Sequence, residues 1–311
     1  MLQEQSIKGK WHITAMGRVK DYNQLLKPNL SGMVVFSSVI GYLMAPGIRF
    51  AWGDMDIWRQ IITLFIGGMM VTGGANTINQ ILERESDKLM NRTKSRPMPD
   101  GRMESVEAWI FALITGLGGA ALLAYYFNMQ AGMLSFFSLL LYAFAYTPMK
   151  KVHPVAVLIG AIPGALPPLI GWVAATGAVT GISSFGGWVL FLFQFFWQFP
   201  HFWAIAYVAF DDYNRAGIRM LPTREKESRF TGLQCMFYSI VLIPLATVPR
   251  FMHLTGNMGM YVCLMAGALY FAASINFFRK NDHKSARQVM FASFIYLPVT
   301  LLALICDKVI S

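Results

Sequence analysis

The sequence carries little charge. Asp, Glu, Lys and Arg make up 14% of its 311 residues, whereas hydrophobic residues make up 55%. Water-soluble globular domains are charged at roughly a quarter of their positions, so this composition excludes an ordinary soluble domain. The chain is predicted to be an integral membrane protein.

Cysteine is also scarce. Cys235, Cys263 and Cys306 lie in apolar runs without CxxC or Cys/His spacing, which argues against a disulfide framework or a zinc site. Residues 1–27 are polar and basic, so no cleavable signal peptide is visible. The net charge of +10 is expected to orient the chain in a bilayer, and no nucleic-acid partner is expected.

Long runs free of charge are abundant. A spanning helix needs about 20 mostly apolar residues. Single spans are predicted in 28–48, 60–82, 230–249, 251–278 and 288–306, and two spans in each of 108–149 and 152–210. The predicted fold class is an all-α integral membrane protein of nine transmembrane helices, with residues 1–27 as a cytoplasmic N-terminal segment and 28–311 as a single membrane domain.

Lys and Arg are concentrated in every second connection between the predicted spans, so that they lie on one side of the membrane. With a cytoplasmic N-terminus, the inner segments are 1–27, 83–107, 150–153, 211–229 and 279–287. Every Lys and Arg falls in one of these except Arg49, Arg59, Arg250 and Lys308. The positive-inside rule therefore predicts a cytoplasmic N-terminus, and a charged substrate is expected at the cytoplasmic face.

Polar residues with helical spacing follow the second span. Asn79, Glu83 and Asp87 are spaced i, i+4, i+8, which places three oxygen donors on one helix face. Mg²⁺ prefers such ligands and typically takes one or two carboxylates together with substrate phosphates. The alternative interpretation is a solvated helix with surface ion pairs.

The cations of the next connection are Arg92, Lys94 and Arg96, within "NRTKSRPMPDGR". They are candidate contacts for phosphate oxygens. Their alternative role is only to obey the positive-inside rule.

A second acidic helix end follows the sixth span. Asp211 and Asp212 are trailed by Arg215 and Arg219 on the same predicted membrane face. If the two acidic ends converge, they form a cavity in which Mg²⁺ ions hold a diphosphate and assist its departure from an allylic lipid.

Two further groups are candidates for chemistry. In "YTPMKK", Tyr146 and Lys150 share a helix face, where Lys150 can reach phosphate and Tyr146 can face a carbocation. Their alternative role is that of an interfacial Tyr followed by stop-transfer lysines. His201 lies within a predicted span, where a haem ligand, a proton donor and a satisfied core histidine are all open interpretations.

The pattern Asn79-x-x-x-Glu83-x-x-x-Asp87 resembles the first signature of the UbiA-type intramembrane prenyltransferases, with Glu83 where that family usually has Asp. Within that family, the segments "DKLMNRTKSRPMP", "YTPMKK", "GALPPLIGW", "WQFPHFWAIA" and "DDYNRAGIRMLP" are similar to those of the protoheme IX farnesyltransferases. The resemblance runs from about residue 22 to 223. It implies a UbiA-type helix bundle in the cell inner membrane, with its active site on the cytoplasmic side.

The resemblance also implies a reaction. Farnesyl diphosphate and haem B are the expected substrates, Mg²⁺ is the expected cofactor, and haem O is the expected product. A haem A synthase is a candidate partner. The implied metal ligands are Asn79, Glu83, Asp87 and Asp212. The implied substrate contacts are Lys27, Arg92, Lys94, Arg96, Lys150, Asp211 and His201, with Tyr146 among the catalytic residues.

Two other functions are alternatives. A prenyltransferase of the same type can act on an aromatic quinone precursor, against which the segments "PHFWAIA" and "AGIRMLP" argue. A membrane transporter with a charged inner vestibule is the alternative of another class. Transporters tend to bind substrate near the bilayer midplane, whereas the acidic groups here gather at one face.

Overall fold

A computed structural model describes residues 15–223 and 228–309, and the regular secondary-structure elements there are all helices. The first helices are α1 (Ala15–Leu26), α2 (Pro28–Met44), α3 (Met55–Leu82), α4 (Arg84–Leu89), α5 (Ser105–Tyr126), α6 (Met129–Leu140) and α7 (Thr147–Met149). A π-helical segment, Leu141–Tyr146, joins α6 to α7. The remaining helices are α8 (Ala156–Thr176), α9 (Phe185–Val208), α10 (Phe210–Arg215), α11 (Phe230–Leu245), α12 (Val248–Phe251), α13 (Asn257–Lys280) and α14 (His283–Cys306).

The predicted all-α membrane architecture is confirmed. Within the described residues, 8 helices are long and apolar enough to cross a membrane, and each corresponds to a predicted span. The segment predicted as the first span forms α2, which has only 17 residues. The count of nine spans and the side on which the N-terminus lies stay predictions, and residues 1–14 of the predicted N-terminal segment lie outside the described part.

Several helices extend past the charge-free runs used to predict them. The side chain of Asp54 accepts hydrogen bonds from the backbone N–H groups of Asp56 and Ile57, so α3 begins before its first apolar run. Asp282 and Ser285 form a capping box at the start of α14. Caps of this kind satisfy the free N–H groups of a first turn, and charged residues are tolerated there.

The proline-rich helix α8 lies inside the bundle. Pro167 and Pro168 cannot donate hydrogen bonds to the carbonyls of Pro163 and Gly164, four residues earlier. Ser138 Oγ instead donates to the Pro163 carbonyl at 3.2 Å, and Gln194 Nε2 donates to the Gly164 carbonyl at 2.7 Å. Neighbouring helices therefore replace the lost hydrogen bonds, which a buried membrane helix requires.

Candidate active site

The first polar motif lies where α3 ends and α4 begins. Glu83 interrupts the helix with φ −101° and ψ 4°. The helical hydrogen bonds nevertheless continue through it, from Glu83 N–H to the Asn79 carbonyl at 3.0 Å and from Asp87 N–H to the Glu83 carbonyl at 2.8 Å. The predicted shared face of Asn79, Glu83 and Asp87 is therefore largely preserved.

Glu83 is buried between an amide and an ammonium group. Asn79 Nδ2 donates to Glu83 Oε2 at 3.1 Å, and Lys150 Nζ lies 2.5 Å from Glu83 Oε1. Glu83 is 3% exposed and Lys150 is 8% exposed. A charge this deeply buried needs a partner of opposite charge, so Lys150 stabilises the ionised carboxylate.

Asp87 is fully buried and its two carboxylate oxygens differ. Oδ2 accepts a 2.6 Å hydrogen bond from Arg96 Nη1, whereas Oδ1 is buried without a hydrogen-bond partner within the described residues. Burial raises the pKa of Asp87, and the Arg96 charge opposes that increase. Oδ1 is consequently an acceptor that remains available to a ligand.

Lys27 projects into the same region from the turn before α2. Its backbone is left-handed, with φ 47° and ψ 62°. Its Nζ donates to Asn79 Oδ1 at 3.4 Å and to Asn76 Oδ1 at 3.5 Å. Burial, together with the nearby charges of Arg96 and Lys150, lowers the pKa of Lys27 to about 7. A bound anion would reverse this shift.

Tyr146 and Lys150 lie on one face, as their spacing predicted. The Lys150 ammonium is 5.3 Å from the centroid of the Tyr146 ring. Tyr146 is buried, and its hydroxyl contacts Met220 Sδ at 3.8 Å. Tyr146 is thus enclosed between the first motif and the segment that follows α10.

The second motif approaches the first through the backbone of the turn at Lys150. Arg219 N–H donates to the Lys150 carbonyl at 2.7 Å. Asp212 forms an ion pair with Arg215, and Asp211 is exposed. No hydrogen bond or ion pair in residues 15–223 and 228–309 joins Asp211 or Asp212 to Asn79, Glu83 or Asp87.

The residues described above form a buried cluster, whose predicted members are Lys27, Asn79, Glu83, Asp87, Arg96, Tyr146 and Lys150. The remaining predicted substrate contacts lie apart from this buried cluster. Arg92 and Lys94 are exposed, and Lys94 Nζ donates to Asn91 Oδ1 at 3.3 Å. His201 lies on α9 against α14, where its ring stacks on Trp197 with centroids 4.7 Å apart.

The hydrogen bond of His201 determines its tautomer. Ser293 Oγ lies 2.7 Å from His201 Nδ1 and donates its single proton to the Met290 carbonyl at 2.5 Å. We infer that His201 Nδ1 is the donor to Ser293, so Nε2 retains its lone pair.

The described residues include no group of three or more His, Cys, Asp or Glu side chains that could hold a metal ion. Magnesium does not require such a group, because it binds through one or two carboxylates together with phosphates and water. Glu83 and Asp87 supply carboxylates, and Asp87 Oδ1 is an unpaired buried acceptor. The donor set at the end of α3 therefore fits a magnesium ion that arrives with a diphosphate.

Sequence reasoning missed two residues of the buried cluster. Asn76 accepts from Lys27 and donates to Ser31 Oγ at 3.1 Å, and Thr147 Oγ1 accepts from Asn79 Nδ2 at 3.1 Å. Asn76 had a usable signal, since an amide within an apolar span one turn before Asn79 requires a buried partner. Thr147 lies within the quoted "YTPMKK", but its type and spacing do not distinguish it from a helix-terminal threonine.

Comparisons with known proteins identify the family. The model of the UbiA prenyltransferase family matches residues 34–297. A protoheme IX farnesyltransferase of Cytophaga hutchinsonii is 43% identical over 291 residues, which cover 93% of this chain and 97% of that protein.

Solved structures agree on the fold. A digeranylgeranylglyceryl phosphate synthase superposes with a TM-score of 0.75 at 20% identity, covering 93% of this chain and 98% of that one. A UbiA homologue from Archaeoglobus fulgidus bound to GPP and Mg²⁺ superposes with a TM-score of 0.55 at 15% identity, covering 91% and 99%. The chain therefore belongs to the UbiA prenyltransferase family, and within it to the group of the protoheme IX farnesyltransferases.

Proposed function

We propose that the protein transfers the farnesyl group of farnesyl diphosphate to the 2-vinyl group of haem B, with addition of water, and so makes haem O. The observation that carries the proposal is the buried cluster at the end of α3. There, Glu83 and Asp87 are each held by a cation, and Lys27 lies beside them. Haem B is inferred as the acceptor because the relatives are named protoheme IX farnesyltransferases.

The cluster supplies both signs of charge that a diphosphate site needs. Lys27, Arg96 and Lys150 offer hydrogen-bond donors to phosphate oxygens, with Arg92 and Lys94 exposed nearby in the chain. Arg96 and Lys150 are already positioned by Asp87 and Glu83, so they lose little conformational entropy when a diphosphate arrives.

Glu83 and Asp87, with Asn79 and Asp212, are the residues we propose to hold Mg²⁺. When bound, the ion neutralises the charge that grows on the departing diphosphate. Asp212 would join this set by exchanging its Arg215 partner for the metal.

The bonds that change in the proposed reaction belong to farnesyl diphosphate, haem B and water. The bond between farnesyl C1 and the diphosphate oxygen breaks, and the vinyl group of haem B forms a new carbon–carbon bond to C1. Water adds to the resulting cation and loses a proton. Tyr146 presents a buried ring that can stabilise the farnesyl cation through its π-face.

The reaction itself is tested in membrane vesicles. Inverted vesicles containing the protein, given haem B, farnesyl diphosphate and Mg²⁺, are expected to form haem O, detected by mass. Right-side-out vesicles are expected to form little, because the diphosphate does not cross the bilayer and we propose a cytoplasmic site in the cell inner membrane. Absence of haem O from both preparations would refute the proposed reaction, and equal yields would refute the orientation.

The same vesicles test the alternatives of acceptor and partner. An aromatic quinone precursor supplied in place of haem B is expected to give no prenylated product. The association with a haem A synthase is a prediction of its own, and co-purification of the two proteins from mild detergent would support it, whereas separation would count against it.

His201, predicted as a substrate contact, has a haem ligand, a proton donor and a core histidine as its open interpretations. We propose the core role, which is supported by the packing of its ring against Trp197, Phe202 and Phe294 and by its hydrogen bond with Ser293. His201→Ala is expected to leave the Soret band of bound haem unchanged, as is His283→Ala at an exposed histidine. A changed Soret band in the His201→Ala protein alone would show ligation by His201 and contradict this proposal.

The lowered pKa of Lys27 predicts a pH-dependent affinity for farnesyl diphosphate. In the free protein Lys27 loses its proton as the pH rises through about 7, and an adjacent diphosphate raises that pKa. Binding above pH 7 therefore takes up a proton. The affinity contributed by Lys27 should fall by up to about tenfold per pH unit until the pKa of the complex is passed.

The control for this prediction is Lys27→Arg, which keeps its charge throughout the range. The diphosphate also titrates, so the wild-type affinity is divided by that of the variant at each pH. Calorimetry at pH 8 in two buffers of different ionisation enthalpy measures the proton uptake. A ratio independent of pH, with no proton uptake, would contradict the prediction.

A further inference from the structure

A cavity of about 420 Å³ lies beside the cluster and is separate from it. The turn after Lys150 forms one wall, through Val152 and His153. The other wall is formed by Asn214, which lies within α10, and by Ile218, Arg219 and Met220, which follow α10. Its volume lies within the range of about 300–1,000 Å³ that is usual for sites of small ligands and cofactors.

The buried part of the lining is apolar, and the exposed part, at the mouth of the cavity, combines the apolar Val152 with polar side chains. Ile218 and Met220 are buried, whereas His153, Asn214 and Arg219 are exposed. A ligand that suits this lining combines apolar surface with an anionic edge.

Arg219 is the cation of the mouth. Its backbone is fixed by the hydrogen bond from its N–H to the Lys150 carbonyl at 2.7 Å, and its Nη1 donates to the Val152 carbonyl at 3.4 Å. No carboxylate pairs with it within the described ranges, in contrast to Arg96 and Arg215. An arginine with its fork of donors unpaired is suited to a carboxylate.

Met220 separates the cavity from the buried cluster. Met220 lines the cavity and contacts the Tyr146 hydroxyl at 3.8 Å. Lys150, which pairs with Glu83, precedes the wall residue Val152 by two positions. A molecule anchored at the mouth therefore extends toward the place where the farnesyl cation is proposed to form.

We propose that this cavity binds the carboxylate-bearing edge of the tetrapyrrole acceptor, with Arg219 as its anion partner; this rests on the proposed function. In haem B the two propionates occupy one edge of the macrocycle and the two vinyl groups the other. Anchoring the propionates at Arg219 directs the vinyl edge inward, toward Tyr146. Arg219 thus acts as a positioning and specificity-determining residue for the acceptor.

The test compares haem B with its dimethyl ester, in which the carboxylate charges are removed. The full-length protein in detergent is titrated with each porphyrin, without farnesyl diphosphate, and the Soret absorbance is followed. The wild type is expected to bind haem B about tenfold more tightly than the ester, as one charged hydrogen bond would give. Arg219→Ala is expected to bind both equally, with the KM for farnesyl diphosphate unchanged, and Arg219→Lys is expected to recover part of the preference.

Arg287→Ala is the matched control, since Arg287 is an exposed arginine outside the cavity lining, and it should retain the wild-type preference. A wild-type preference in Arg219→Ala would overturn the proposal. So would a rise in the KM for farnesyl diphosphate without a change in porphyrin affinity, because Arg219 would then bind phosphate. An Arg219→Ala protein that fails to fold is replaced by Arg219→Gln, to which the same outcomes apply.

The two proposals fail in different ways. Porphyrin binding that depends on the carboxylates and on Arg219, without formation of haem O, would refute the reaction and leave the cavity assignment intact. Formation of haem O with equal affinity for haem B and its ester would refute the cavity assignment alone.

Discussion

Asp87→Asn is expected to reduce farnesyl transfer by about 10³-fold while the protein still inserts and binds haem B. Asp87 is fully buried, and its Oδ1 is a buried acceptor with no hydrogen-bond partner within the described residues. Asparagine keeps the shape of the side chain and removes the charge that we propose to hold Mg²⁺. The loss should appear in kcat, because the metal acts on charge that develops as the diphosphate departs.

The substitution also leaves Arg96 without its carboxylate partner. A second variant, Asp87→Asn with Arg96→Gln, removes that unpaired charge and separates misfolding from lost chemistry. Both variants should be inactive, and the double variant should unfold at the higher temperature. Glu85→Gln alters an exposed carboxylate on the same helix α4 and should keep full activity. Appreciable transfer by a folded Asp87→Asn protein would remove Asp87 from the metal site.

The raised pKa of Asp87 predicts how farnesyl transfer depends on pH. Burial raises that pKa, so the carboxylate takes up a proton at a higher pH than an exposed aspartate does. Transfer by the wild type should therefore decline as the pH falls through this raised pKa, because the protonated side chain resembles the asparagine variant. A Glu85→Gln protein should show the same decline.

The shared face of Asn79, Glu83 and Asp87 was predictable from sequence because helical spacing is a local property. It survives the interruption at Glu83, since the hydrogen bonds to the carbonyls of Asn79 and Glu83 continue across it. The spans were predictable for a similar reason, because a bilayer demands a minimum apolar length. The helix ends were less predictable from the sequence, because an N-cap residue such as Asp54 can be charged and then lies outside the charge-free run that predicts the span.

The pairing of charges could not be read from the sequence. Arg92, Lys94 and Arg96 are equivalent by composition, yet only Arg96 forms an ion pair with Asp87, while Lys94 bonds to Asn91. The choice depends on how the turn after α4 folds back. Thr93 Oγ1 contributes there by donating to the Asp87 carbonyl at 2.8 Å.

The relation between the two acidic segments was predicted only in outline. Convergence of the side chains near positions 83 and 212 stays a prediction. The segment that follows Asp212 is linked to the turn at Lys150, whose ammonium group pairs with Glu83. The link is a backbone hydrogen bond from Arg219 to Lys150 and a contact of Tyr146 with Met220. Every residue except proline has the same backbone donor, so such a link has no signature in residue types.

Lys150→Met is the second substitution with a large expected effect, and it acts on stability as well as on transfer. Lys150 is the cation paired with Glu83, at 2.5 Å, and both side chains are nearly enclosed. Removing it leaves the buried carboxyl group of Glu83 with only the Asn79 amide as a partner. Breaking a buried ion pair on one side typically costs about 3–5 kcal/mol, because the remaining charge has lost its compensation.

The double variant Glu83→Gln with Lys150→Met separates these effects. Removing both charges should restore most of the stability lost in Lys150→Met, whereas farnesyl transfer should stay absent, since a proposed metal ligand and a phosphate contact are both gone. Unfolding in detergent, followed for the wild type, both single variants and the double variant, gives the coupling free energy. Lys88→Met, which breaks the exposed pair with Glu85, should change stability by less than about 1 kcal/mol. Additive losses in the double variant would mean that Glu83 and Lys150 do not act as a pair, and the diphosphate site would then need a different cation at its centre.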